Sequence, residues 1–245
     1  MRLTRRQAML GGLGLSVLAP GIALTAAGRA DPLGAVESSM RFFRIGTGST
    51  AGTYYPVGGV IAAAISNPPG SHPCDEGGAC GVPGLIAVAQ STDGSVDNVR
   101  MIASGALESA LCQADVAYWA YRGEEIFAEK GPVEELRVIA SLYAETLHLV
   151  VRRGAGIRSL KDLAGKRVSL DRPASGTRVD ANLLLEAYGV SPESFEDLPL
   201  TTGQAAQAVR DGTLDAFFLV AGAPVTAIAE LAWEQRIDLL PDSLS

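Results

Sequence analysis

Phe42-Phe-Arg-Ile-Gly-Thr-Gly-Ser-Thr-Ala-Gly-Thr-Tyr-Tyr-Pro-Val-Gly58 opens as an apolar run, breaks into a turn of glycines and hydroxyls, and resumes as a helical pattern. It predicts a strand at Phe42–Gly46 and a helix from about Tyr54 to Ser66. The glycines are spaced G-x-G-x-x-x-G, one residue longer than the dinucleotide fingerprint, and no Lys follows as a P-loop needs, so nucleotide binding scores low. What remains is a strand-to-helix turn with free backbone N–H groups. It is either a plain capped turn or a site for carboxylate or phosphate, drawn by those N–H donors and the helix dipole.

The device recurs further along the chain. Pro173-Ala-Ser-Gly-Thr177 follows the strand-like Lys166–Leu170 and begins a helical pattern that runs to Tyr188. Gly222-Ala-Pro224 follows the run Leu214–Val220 and offers a third helix start, with Pro at the first helical position. Between these turns the chain alternates short strands with helices: strands at Leu85–Gln90, Ser109–Gln113, Leu136–Tyr143, Leu147–Arg152 and Ile237–Leu240, and helices at Gly94–Ser104, Asp115–Tyr121, Glu124–Lys130, Thr202–Arg210 and Pro224–Trp233. Such alternation predicts an α/β fold with parallel strands. The best boundary is Leu147–Gly156, giving a first lobe over residues 41–148, a second over 149–235, and a return toward the first from 236. A cleft between two lobes is a common ligand site.

Residues 1–30 read as an export signal, with Arg2, Arg5 and Arg6 ahead of an apolar stretch and a small-residue cleavage pair at Gly28 and Ala30. The Arg5-Arg6 pair resembles a twin-arginine signal; Ala8 stands where that motif has a bulky apolar residue, which leaves ordinary secretion open. Over 245 residues the net charge is −7, and losing this segment removes four Arg and no acid, leaving −11. An acidic surface of this kind argues against nucleic acid as a partner. Export to the periplasm also permits disulfides.

Cys74 and Cys80 lie in a Gly-rich loop and read as a local disulfide; a zinc site with His72 is the alternative, though no fourth ligand stands nearby. Cys112 reads as a buried thiol and His148 as a strand residue. Gln113, at a strand end, either precedes a helix capped by Asp115 or points its amide into the cleft. No paired carboxylates, metal motif or nucleophile elbow is present, so neither cofactor nor metal is expected and the chain reads as no enzyme. A hydrolase using Ser49 or Ser175 is a weak competitor because neither has a base.

These turns, in this order, resemble the TAXI family, the solute receptors of one class of tripartite ATP-independent (TRAP) transporters. The resemblance rests on Gly46–Gly58, Ser91-Thr-Asp-Gly-Ser-Val-Asp-Asn98, Gln113-Ala-Asp-Val-Ala-Tyr118, Leu136-Arg-Val-Ile-Ala-Ser-Leu-Tyr143, Leu160-Lys-Asp-Leu-Ala-Gly-Lys-Arg-Val168, Ser175-Gly-Thr177 and Leu214–Pro224. It implies a two-lobed, type II periplasmic binding protein-like fold that closes on a small carboxylate, such as glutamate or a related amino acid or dicarboxylate. The receptor would act as a monomer and deliver its solute to a TRAP-type membrane permease; a sensor docking on a membrane receptor is the alternative. By position, Thr47, Gly48, Thr53 and Tyr54, with Ser95 and Gln113, would line the cleft from the first lobe. Ser175, Gly176, Thr177 and Gly222 would line it from the second. Members of that family continue past the equivalent of Ser245, so this chain reads as lacking a C-terminal part.

Overall fold

The computed structural model describes residues 40–240; the expected export signal lies outside them. In chain order the strands and helices are β1 (Arg41–Gly46), α1 (Tyr54–Ile65), β2 (Ser66–Asn67), β3 (Val82–Pro83), β4 (Leu85–Gln90), α2 (Ser95–Ala103), β5 (Ser109–Ala110) and α3 (Ala114–Arg122). There follow β6 (Thr146–Arg152), β7 (Arg167–Ser169), α4 (Gly176–Ala187), β8 (Glu196–Asp197), α5 (Thr202–Arg210), β9 (Ala216–Ala221), α6 (Thr226–Trp233) and β10 (Ile237–Leu239). Together they form an α/β fold of two lobes, each built on its own sheet.

The first lobe is built on a parallel sheet of order β4-β1-β5. Its apolar residues alternate as a strand requires. Ile45 and Ala87 turn inward against α1, where Val57, Ile61 and Ala62 complete a small core. Val96 and Val99 of α2 pack with Val116 and Ala120 of α3 and with Phe127 in a second cluster. β2 and β3 pair with each other and frame the loop that carries the Cys74–Cys80 disulfide.

The second lobe holds a five-stranded sheet of order β10-β6-β9-β7-β8. It is mixed where parallel strands were expected: β6 runs antiparallel to both β9 and β10. Alternation is visible residue by residue. Leu149, Val151, Ala216 and Phe218 enter the core beneath α4, while Val150, Phe217, Leu219 and Ala221 enter the core beneath α5 and α6. At the end of the sheet away from the β9–α6 connection, Asp215 accepts from Arg152 Nη2 at 2.6 Å and from Arg167 Nε and Nη2 at 2.9 and 2.8 Å. These bonds fasten β6, β7 and β9 together.

Several expectations differ from the structure. Leu136–Tyr143 is coil without a sheet partner, and Ile139 is 86% exposed. β-branched residues favour strands only where a neighbouring strand takes their hydrogen bonds, and among the described residues none is placed there. Glu124–Lys130 tightens to a single 3-10 turn at Glu125–Phe127. α6 starts at Thr226, so Pro224 precedes the helix instead of opening it. Ile237–Leu239 joins the second sheet beside β6.

Candidate functional site

A cavity of about 50 Å³ lies between the lobes, beyond the carboxyl ends of β1 and β4 on one side and of β7 and β9 on the other. Open α/β sheets hold ligands in this position. Gly48, Ser49, Thr53, Tyr54, Ser95 and Gln113 line it from the first lobe, and Ser175, Gly176, Thr177 and Thr202 from the second.

The first-lobe wall depends on a residue that sequence reasoning missed. Asn98 is fully buried and donates through Nδ2 to the carbonyls of Thr47 and Leu111, both at 2.7 Å, while its Oδ1 accepts from Thr92 Oγ1. One amide thus ties the end of β1, the loop before α2 and the approach to α3. Gly46 is required beside it, because a Cβ there would stand 2.6 Å from Asn98 Oδ1. Thr47 is also fully buried, and its hydroxyl donates to Gln90 O at 2.7 Å. It therefore holds the turn in shape and does not line the cavity. The other expected residue that stands off the lining is Gly222: its carbonyl accepts from Thr53 Oγ1 at 3.0 Å, and the Tyr143 ring fills the space beside its Cα.

Ser95 Oγ accepts from the Gln113 amide N–H at 3.1 Å and donates to Gln113 Oε1 at 3.3 Å, which fixes the Gln113 side chain. Gln113 Nε2 then reaches across to Asp180 Oδ2 of α4 at 2.6 Å. Gln113, not Asp115, is the N-cap residue of α3, and Asp115 accepts only from the adjacent Val116 N–H. In the second lobe Ser175 caps α4, its Oγ accepting from Arg178 N at 3.1 Å, and Thr177 Oγ1 accepts from Val220 N at 3.0 Å. Ser175 Oγ is thus spent on the helix start.

Three carboxyl groups line the cavity as well: Asp93, Glu145 and Asp171. Asp93 pairs with Arg172 at 3.3 Å across the lobes. Glu145 accepts from Tyr54 OH at 2.7 Å, and burial raises its pKa above the ordinary carboxylate range. Burial likewise pushes Asp171 up to about 6 and Tyr54 well above a normal phenol, the latter reinforced by Glu145. Neither Asp171 nor Glu145 was among the expected site residues; Asp171 carries a local signal in its place just after β7, whereas Glu145 lies in coil before β6 and carries none. Arg178, beside Ser-Gly-Thr, is committed to Asp197 and to the carbonyl of Asp171. Cys112 lies outside the cavity lining, and burial pushes its thiol up to about 12. Among the described residues no group of His, Cys, Asp and Glu could hold a metal ion.

A cavity at the strand ends of two facing α/β lobes is the arrangement of the periplasmic binding protein-like fold. Solved structures share that fold at low identity. The alkanesulfonate-binding protein SsuA from Xanthomonas axonopodis pv. citri, bound to MOPS, matches at TM-score 0.50 and 16% identity, over 84% of this chain and 63% of that one. A protein from Bordetella bronchiseptica RB50 matches at 0.56 and 17%, over 81% and 55%. Tv2483 bound to L-arginine matches at 0.50 and 12%, over 83% and 74%. The chain thus spans less than two thirds of the first two. Residues 45–243 match the model of the NMT1-like family, and the chain belongs to that family. This match overturns the TAXI assignment, and with it the TRAP-type permease. Gly- and hydroxyl-rich strand-to-helix turns are demanded by the fold itself, so they do not separate one family of this architecture from another.

Proposed function

We propose that the chain is an exported, non-enzymatic receptor that encloses a small solute between its lobes and passes it to a membrane transporter. The observation that carries this reading is the composition of the cavity wall. It joins the hydroxyl- and N–H-bearing starts of α1 and α4 to the carboxyls of Glu145 and Asp171. The helix starts suit an anionic group and the carboxyls suit a cationic one. A solute carrying both, such as an α-amino acid, fits this wall better than a dicarboxylate, whose second charge would face Glu145 and Asp171. MOPS and L-arginine, bound in two proteins of the same fold, both combine an acidic group with a basic nitrogen. Export rests on the Arg-led apolar segment at residues 1–30 and places the receptor in the periplasm.

Thermal melting against amino acids, 2-oxo acids, dicarboxylates and sulfonates tests the proposal. A solute at 100 times its dissociation constant adds about 2.7 kcal/mol of stability. The expected result is a selective shift with an amino acid, reduced in Ser175→Ala and in Glu145→Gln. A cooperative melt that no compound moves would overturn the receptor reading.

A further inference from the structure

A second cavity lies between the lobes and is larger than the first, at about 280 Å³. Its walls are α2, α3 and the Glu125–Phe127 turn on the first lobe and α4 on the second. The two cavities share no lining residue. Where the chain passes from one to the other the lobes touch: the Asp97 N–H donates to Ala174 O at 3.0 Å, and a Cβ on Gly94 would stand 3.3 Å from Ser175 Cα. Helix α4 serves both. Its start, Ser175–Thr177, lines the solute cavity, whereas Val179, Leu183 and Glu186, spaced i, i+4 and i+7 on one face, line the second.

The floor of this second cavity is apolar. Trp119 and Val179, one from each lobe, pack against the first-lobe cluster of Val96, Val99 and Val116. Ile126 and Leu183, again one from each lobe, are 42% and 41% exposed and leave apolar surface open to water on both walls. Four charged residues stand around this floor: Arg100, Glu125, Arg178 and Glu186. Asp197 neutralises Arg178 at 2.6 Å. Among the described residues, no ion pair includes Arg100, Glu125 or Glu186. The free charge of the cavity is therefore one guanidinium against two carboxylates.

We propose that this cavity is a second binding site, for a small organic monocation that carries an ammonium or guanidinium group on an apolar stem. The stem covers Trp119, Ile126 and Leu183, and the charged head is held by Glu125 of one lobe and Glu186 of the other. One positive charge balances the free charge present, whereas an anion would meet two carboxylates for one guanidinium. Of the aromatic side chains, an indole also attracts a cation most strongly. The volume lies near the lower end of small-molecule sites, which begin at about 300 Å³. Because the walls belong to both lobes, an occupant favours the arrangement in which they meet. The site stands apart from the solute cavity and depends on no reading of its solute.

Trp119 and Trp233 are the two tryptophans of the chain, and Trp233 is 88% exposed, so Trp233→Phe leaves Trp119 as sole reporter. Its emission is followed during titration with cyclohexylmethylamine, with cyclohexylmethanol and cyclohexylacetate as neutral and anionic counterparts. The expected result is a saturable change with the amine, and binding about three- to fivefold weaker in Glu125→Gln and in Glu186→Gln, both at exposed positions. No saturable change, or equal binding of the three compounds, would overturn the proposal. A loss confined to Glu145→Gln would place the amine in the solute cavity and overturn it as well. The melting screen turns on Ser175 and Glu145 and this titration on Glu125 and Glu186, so failure of one leaves the other standing.

Discussion

Phe217 and Phe218 are neighbours on β9, point to opposite faces of the sheet, and are both buried, since α5 and α6 cover one face and α4 lies on the other. Phe42 and Phe43 are neighbours on β1 and also point to opposite faces. Phe43 packs beneath α1, while Phe42 is 63% exposed. Val88 on β4 is exposed too. The two lobes share one strand–helix alternation and differ in how many faces of the sheet it covers. The second lobe therefore carries most of the buried apolar area, and with it most of the hydrophobic stabilisation.

The largest expected effect tests that difference directly. Phe217→Ala should cost about 3–5 kcal/mol, as a fully buried aromatic truncated in a core covered on both sides. Phe43→Ala should cost about half as much, because its site is open to partial relaxation and solvent. Urea unfolding of the two variants gives both values. Equal costs would break the comparison and show the first lobe to be as well packed as the second.

A second, smaller effect sharpens it. The two guanidinium groups around Asp215 hold its carboxyl far below the usual carboxylate range, Arg167 being the larger influence. Because this carboxyl is depressed in the folded state, its contribution is present above the ordinary aspartate value near 4 and lost as pH falls below it. Asp215→Asn should cost about 2 kcal/mol at neutral pH, less than a fully buried pair because both arginines keep some contact with water. It should also flatten the acid limb of a stability–pH curve measured by denaturant melting. An acid limb identical to that of the unsubstituted chain would remove Asp215 as the clamp of the second sheet.

How far the molecule was legible follows from the same contrast. β9 and α4 were readable because their apolar periods are long and both are bounded by Gly and hydroxyl turns. The turns at Gly46–Thr53 and Ser175–Thr177 were readable as cleft walls because Gly and hydroxyl residues there leave backbone N–H groups at a helix start. Asn98 was invisible: it sits in the middle of α2, and nothing local distinguishes a buried amide serving two distant carbonyls from a polar surface residue. Glu145 was hidden for a related reason, since it lies in the coil before β6 and its partner, the Tyr54 hydroxyl, stands 91 residues earlier in the chain. The antiparallel placing of β6 and β10 was equally unreadable, because a short apolar run carries no sign of direction.

The run Leu136–Tyr143 carries the smallest expected effect and the sharpest test of local against tertiary preference. By composition it is the most strand-like part of the first lobe outside its sheet, with Val138, Ile139 and Leu142 in close succession. Yet Leu136 alone among its aliphatic residues joins a core cluster, while Val138 and Ile139 are 79% and 86% exposed. Residues with so little buried area have little transfer free energy to lose, so Val138→Lys and Ile139→Lys should each shift stability by no more than about 0.5 kcal/mol. Leu136→Lys should cost more than either, because it places a charge against Val116, Phe127 and their neighbours. A loss above about 1 kcal/mol for Ile139→Lys in equilibrium unfolding would mean that this face is covered in solution, and the first lobe would then be the better-packed one along this edge.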